Sequence, residues 1–234
     1  MSRVSLVLGV ETSSRLVGVA LWRDGQALSS LERMSLAPRA DDLRAMAERV
    51  LDGARVTLAD LTGIAVSIGP GSFTGLRIGV SFVKGLATAR RVPVIGVSTL
   101  DVIAQNLWGA RGAVVVLLDA RQDKLYAACY RAAAGTLARA GQERLGAIQE
   151  LSTLLKRGTL FAGDGLQQYG AKLRRLVQRP IVTAPEELWY PRAATVARLG
   201  AQLLIRGKRD DIQQLTPRYM YPRYCSIKKG STRQ

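Results

Sequence analysis

Ile68-Gly69-Pro70-Gly71-Ser72-Phe73-Thr74-Gly75-Leu76-Arg77 separates a short apolar strand, predicted over 64–68, from a helix predicted over 74–90. Glycines ahead of helix N-terminal amides can make an anion site. The run is not a P-loop: that motif needs Gly-Lys-Ser/Thr after four spacers, and no lysine stands there. A tight turn whose Ser72 or Thr74 caps the helix explains the same residues. The helix itself carries more. At about 100° per residue, Leu76, Val80, Val83 and Ala87 form one apolar stripe, and Ile78, Phe82, Gly85, Leu86 and Ala89 form a second on roughly the opposite side. Arg77, Ser81, Lys84, Thr88 and Arg91 fill the remaining strip. A surface helix needs one apolar stripe. Two stripes call for two covers: one is the helix's own sheet, and the other is either another element of the chain, such as a helix predicted over 40–54, or a second chain.

Upstream, strands are predicted over 4–10, 16–22 and 26–31. The last two are joined at Asp24-Gly25, a two-residue hairpin signal. A helix over 40–54 places Leu43, Met46, Ala47, Val50, Leu51 and Ala54 on one stripe. Downstream come a strand over 92–97 and a helix over 99–107. The second half repeats the order. Strands over 113–118 and 124–131 flank Asp119-Ala120-Arg121, and a third is expected over 136–144. A helix over 149–156 follows, then a strand over 159–162 ending in Gly163-Asp164-Gly165, and helices over 167–177 and 193–205. Periodicity supports an α/β chain with mixed sheets. The repeated order resembles the duplicated ribonuclease-H-like fold of the actin, hexokinase and Hsp70 superfamily: two tandem domains, 1–106 and 107–234, whose mixed sheets are flanked by helices.

Composition excludes a good deal. Among 234 residues there is no histidine. Histidine-built zinc sites, Ser-His-Asp and Cys-His pairs and histidine general bases are therefore impossible. Thirty-four Lys+Arg against eighteen Asp+Glu give a formal charge of +16, which suits a polyanionic partner such as RNA. The two cysteines, Cys129 and Cys225, imply no disulfide framework. Cys129 falls in an apolar alternation and reads as a core thiol. The opening apolar run stops at Glu11 without a cleavage signal, and no uncharged run reaches the ~18 residues that span a bilayer. A cytoplasmic chain without membrane contact is expected. From Arg206 to Arg233 eight basic residues face only Asp210 and Asp211, with Tyr219, Tyr221 and Tyr224 among them. Basic residues interleaved with aromatics suit looped RNA; tyrosines packed on the second domain would explain them equally.

Several motifs in one order carry a more specific resemblance. The stretch from Ile68 to Gly79 resembles the signature of the bacterial TsaB (YeaZ) family, which serves threonylcarbamoyladenosine biosynthesis in tRNA. Leu8-Gly9-Val10-Glu11-Thr12-Ser13-Ser14, Val97-Ser98-Thr99-Leu100, the run from Leu118 to Asp123, Ala162-Gly163-Asp164-Gly165, Pro191-Arg192-Ala193 and Pro217-Arg218-Tyr219-Met220 match the family elsewhere. There are departures. The family usually has Asp where Glu11 stands. It often has a histidine before the first helix, where this chain reads Ala37-Pro38-Arg39-Ala40-Asp41-Asp42. It tends to have Arg where Tyr221 stands.

The resemblance implies a non-catalytic scaffold. Its partners would be a homologous catalytic subunit that holds a metal through His-x-x-x-His, an ATPase subunit and, through the complex, tRNA. Without that sibling the chain would pair with itself as a homodimer. The resemblance gives this chain no catalytic or metal-binding residue and requires no cofactor, but it allows a nucleotide at the subunit interface. The nucleotide candidates are Glu11, Thr12, Ser13 and Ser14, Gly69, Gly71, Ser72, Thr74 and Gly75, and Gly163, Asp164 and Gly165, on loops expected to converge. The interface is expected on Leu43, Met46 and Val50 of the first helix and on Leu76, Arg77, Val80, Val83 and Ala87 of the second. The Leu76 stripe is taken as outward because Gly75, Gly79 and Gly85 are read as lying nearer the other, against the sheet. The alternative is a small-molecule kinase of the same superfamily. It would need Glu11 and Asp119 as its carboxylates and an adenosine loop that the sequence does not show.

Overall fold

The computed structural model describes residues 6–35, 38–133 and 136–220. Two five-strand paths share one topology. In the first lobe β1 (Val7–Glu11), β2 (Leu16–Arg23) and β3 (Gln26–Met34) form an antiparallel meander, and β4 (Gly63–Gly69) and β5 (Val94–Ser98) add in parallel beside β1, in the order β3-β2-β1-β4-β5. The β2–β3 turn has positive φ at both Asp24 and Gly25, the twist-matched hairpin turn that this dipeptide favours. In the second lobe β6 (Ala113–Asp119), β7 (Lys124–Ala133) and β8 (Thr136–Arg139) take the meander's place, and β10 (Leu160–Ala162) and β11 (Val182–Thr183) the parallel flank. This is the duplicated mixed-sheet, helix-flanked fold expected.

The period of two decides what each strand buries. In β6, Val114, Val116 and Leu118 face a core built with Leu100, Ile103, Ala104 and Leu107 of α3 (Thr99–Asn106) and its C-terminal cap. Val115 and Leu117 face the opposite core, under α4 (Ser152–Leu155) and α5 (Gly165–Val177). Cys129 is buried there, and burial pushes its thiol pKa up, as suits a core side chain. In the first lobe α1 (Ala40–Gly53) and α2 (Phe73–Arg90) share one core with Leu8, Val10, Val17 and Val19.

Three expectations are corrected. The strand expected over 136–144 is two strands. The chain bends at Gly141, so Thr136–Arg139 pairs with the outer half of β7 while β9 (Arg144–Ala147) pairs with its inner half. The helix expected over 149–156 is the single turn α4; the turn ahead of it is closed by the Glu150 carboxylate accepting from the Ala147 amide at 2.8 Å. The division at 106/107 describes the strands but not α6 and the segment that follows it. Helix α6 (Ala193–Ile205) packs on β1, β2 and β4, the first sheet. Backbone approaches backbone there because Gly9 and Gly200 offer no side chain: a Cβ at Gly9 would lie 2.5 Å from the Ala197 nitrogen, and one at Gly200 2.2 Å from the Ala65 Cβ. The salt bridge from Arg192 to Glu32 (2.7 Å) and the Ala193 amide on the same carboxylate (2.8 Å) fix the start of α6. Of the first strand expected over 4–10, residues 4 and 5 lie outside those described, as does Ala37.

Candidate protein interface and loop site

Helix α2 sits the other way round from the expectation. Leu76, Val80, Val83 and Ala87 are at most 3% exposed and face the sheet, as do Leu43, Met46 and Val50 of α1. Small residues do mark the close-packed side, but contacts rather than wheel angle identify it: Cβ atoms at Gly75 and Gly79 would come within 2.1 Å of Thr12 oxygens. Gly85 meets nothing within 4 Å and faces outward. The outward face is therefore the second stripe: Ile78, Phe82 and Leu86 half-buried, Gly85 and Ala89 exposed, with the exposed Arg77 at its edge. Ala40, Arg77, Ile78, Ser81 and Phe82 line an open groove of about 370 Å³ between α1 and α2. Arg77 is the one predicted interface residue that stays at the surface.

Phe73 extends this apolar face, 57% exposed at the first turn of α2. The Arg77 guanidinium lies 5.3 Å from its ring centroid, and the Tyr219 ring stacks on it at 5.0 Å. Tyr219 thus packs on the first lobe, not on the second; Tyr221 and Tyr224 lie outside the described residues, as do Arg223, Lys228, Lys229, Arg233 and Cys225. The segment leading to Tyr219 is strapped along α2. Asp210 bridges Val94, the Lys84 ammonium donates to the Gln213 (3.0 Å) and Leu215 (3.3 Å) carbonyls, and the Arg218 amide donates to the Ile68 carbonyl at 2.7 Å. The Arg218 guanidinium pairs with Glu143, which also takes Arg139 at 2.8 Å and the Ser98 hydroxyl at 2.5 Å. One buried carboxylate so ties together β5, the second lobe and the strap. Nothing in the spacing of Glu143 pointed to this.

The first two predicted loops do converge. The Ser72 amide donates to the Ser13 carbonyl at 2.7 Å, and a Cβ at Gly71 would sit 2.2 Å from that same oxygen. Ser72 caps α2 by accepting from the Gly75 amide at 3.2 Å, while Thr74 is exposed. Glu11 is fully buried behind them. Its carboxylate accepts from the Ser13 amide and hydroxyl, both at 2.5 Å, and from the Ser67 hydroxyl. Thr12 is buried with its hydroxyl unpartnered against Gly79. Ser14 turns back to its own strand, bonding Leu16. The third loop belongs to the other lobe: Gly163 and Gly165 pack on Leu117, and Asp164 accepts from the Asp119 amide at 3.1 Å. It is linked across the cleft through Arg15, which bonds Gln167 at 3.3 Å, lies over the Tyr190 ring and lowers the Asp164 pKa that burial raises. The strand-end amide of Ser72, which a phosphate would use, is thus already taken by protein.

Burial raises the Glu11 pKa from 4.5 to about 7, against the pull of its serine donors. A carboxyl whose pKa rises on folding holds its proton more tightly in the native state. Its contribution is most favourable below about pH 4.5 and is lost as pH climbs to about 7, by on the order of 3 kcal/mol. Glu11→Gln should flatten that slope and leave the protein more stable at about pH 8 than the parent. Urea unfolding at about pH 5 and pH 8 checks it; an unchanged slope in the variant would acquit Glu11.

Comparison with known proteins agrees with this geometry. The family model described as "TsaD: tRNA N6-adenosine threonylcarbamoyltransferase" matches residues 39–229. YeaZ from Pseudomonas aeruginosa superposes with a TM-score of 0.78 at 31% identity, covering 92% of this chain and all of that one. The chain belongs to the TsaB/YeaZ family. Its members include the Escherichia coli tRNA threonylcarbamoyladenosine biosynthesis protein TsaB, 40% identical over 129 residues, a match spanning 53% of this chain and about half (54%) of that protein. The Bacillus subtilis TsaB is 26% identical over 219 residues, 92% of this chain and 93% of its own. The actin-like fold follows from the TsaB/YeaZ likeness and from the repeated strand order. Among the described residues no helix is long and apolar enough to cross a membrane.

Proposed function

We propose that this chain serves threonylcarbamoyladenosine formation in tRNA as a non-catalytic scaffold, pairing with a homologous catalytic subunit through the outward face of α2. Its family's names supply the pathway. The observation that supports the scaffold reading is the second apolar stripe: Phe73 is 57% exposed, and Ile78 and Phe82 are only half-buried, on a helix whose other stripe already fills the core. An apolar face of this kind costs solubility unless a second protein covers it. The absence of histidine rules out the His-x-x-x-His metal site within this chain. The same face accounts for self-pairing when the sibling is absent, since an isologous contact needs only self-complementarity. The ATPase subunit and tRNA join through the complex, and a nucleotide, where one binds, lies between subunits. Within the chain Glu11 and the glycine turn act as a clasp.

Co-expression with a longer homologue carrying His-x-x-x-His, where the same genome encodes one, tests this. The two should co-elute as a complex, and the chain alone should show no ATPase, kinase or peptidase turnover above background. Separate elution, or an ATPase rate that Glu11→Gln removes, would refute the scaffold reading in favour of a kinase-like enzyme.

A further inference from the structure

The second lobe carries a basic surface beside α4 and the turn at Gly141. Arg144 and Arg157 line a groove of about 90 Å³ with Gln142, Gly141 and Thr153. Arg131 lies two residues along β7 from Cys129, which lines the groove, and so projects from the same face of that strand. Lys156 precedes Arg157 at the end of α4, and Arg179 lies beside it, donating to the Lys156 carbonyl at 3.2 Å and to the Gly158 carbonyl. All five cations are exposed, and among the described residues none is in an ion pair with a carboxylate.

Four of the lobe's acids are held by groups other than these five cations. Glu143 is turned inward to Arg139 and Arg218, Glu150 to the Ala147 amide, Asp164 to the Asp119 amide and Glu186 to Gln167. Capping of α4's last carbonyls explains Arg179, but it does not explain Arg131, Arg144 or Arg157. Like charges gathered without counter-ions repel one another, and a polyanion relieves that repulsion. The groove offers Gln142 and Thr153 as hydrogen-bonding groups, and none of the large exposed hydrophobic side chains lines it. A membrane-surface patch would pair its cations with such side chains. An RNA phosphate backbone needs only charge and polar donors.

We infer that this surface, centred on Arg131, Arg144 and Arg157, binds the phosphate backbone of a structured RNA. Naming that RNA as the tRNA substrate rests on the function proposed above.

The test uses the full chain and fluorescence anisotropy with a labelled, unmodified tRNA transcript. Two triple variants change net charge equally. One is Arg131→Glu with Arg144→Glu and Arg157→Glu; the other is Arg49→Glu with Arg55→Glu and Arg206→Glu, exposed on the first lobe and at the end of α6. Thermal melts by circular dichroism establish that both fold. At roughly 50 mM salt the first triple should bind about a hundredfold more weakly than the parent, and its dependence of log K on log salt should be shallower by about 2. The control triple should stay within about fivefold of the parent with the same slope, since it removes no phosphate contact. Equal losses in both triples, or no RNA binding by the parent, overturn the inference. So does a first triple that binds RNA normally but releases phosphatidylserine vesicles, which would make the surface a membrane contact. Co-elution with the homologous subunit is read separately and should survive in the first triple. A parent that never pairs but loses RNA with the first triple would leave this surface standing and the scaffold reading refuted.

Discussion

Val80→Glu should unfold the protein, while Ile78→Glu should leave it folded and block its pairing with the proposed partner subunit. Val80 is 3% exposed in the core shared by α1, α2 and β1, and among the described residues no cation of that core stands ready to meet it. Burying an unpaired carboxylate there costs about 4 kcal/mol or more, a large share of a domain's stability. Ile78 lies on the same helix about 160° round from Val80, at the groove between α1 and α2. A glutamate there can reach water, so the fold loses about 1 kcal/mol of apolar burial. The complex, however, would have to bury that charge. Light scattering and co-elution report association, and circular dichroism reports folding. A folded Val80→Glu protein that no longer associates would reinstate the Leu76 stripe as the interface.

Gly200→Leu should lower stability by about 3 kcal/mol, the upper range for forcing a side chain into a packed seam. The first new atom falls 2.2 Å from the Ala65 Cβ and 3.3 Å from the Ile95 Cγ2, on the face where α6 lies on the first sheet. No rotamer relieves a clash made by Cβ itself, so the helix must lift. The urea midpoint should fall with little change in its slope. A change below about 0.5 kcal/mol would mean that α6 is free to slide and the seam is looser than its spacing implies.

The sequence made the elements legible wherever one rule governed. The alternation in β6, the Asp24-Gly25 turn and the two stripes of α2 were all plain. Which stripe turns inward was not, because both are apolar and the deciding contact comes from Thr12, more than sixty residues away. At about 100° per residue Gly75 falls about 100° and Gly79 about 60° from Leu76, towards the second stripe, so the wheel alone does not assign them; their contacts with Thr12 do. Glu143 and the strap were invisible for a different reason. A buried carboxylate that joins Ser98, Arg139 and Arg218 has no spacing of its own, only a place in three dimensions. The loop pair at Ser13 and Ser72 was found by resemblance and rests on geometry; Gly163 was grouped with it, but the structure places it across the cleft on Leu117.

Helix α6 has a consequence for how the protein is made. A ribosome delivers β1 first and α6 nearly two hundred residues later, yet these two lie against each other. Until then one face of the opening sheet, with Val7, Ala65 and Ile95, is covered only in part, by Val102 of α3. Contacts so distant in sequence form slowly, because the loop between them must close first. The nascent first lobe therefore keeps part of an apolar sheet face open to its neighbours until α6 is made, and in that interval the face can pair with the wrong surface.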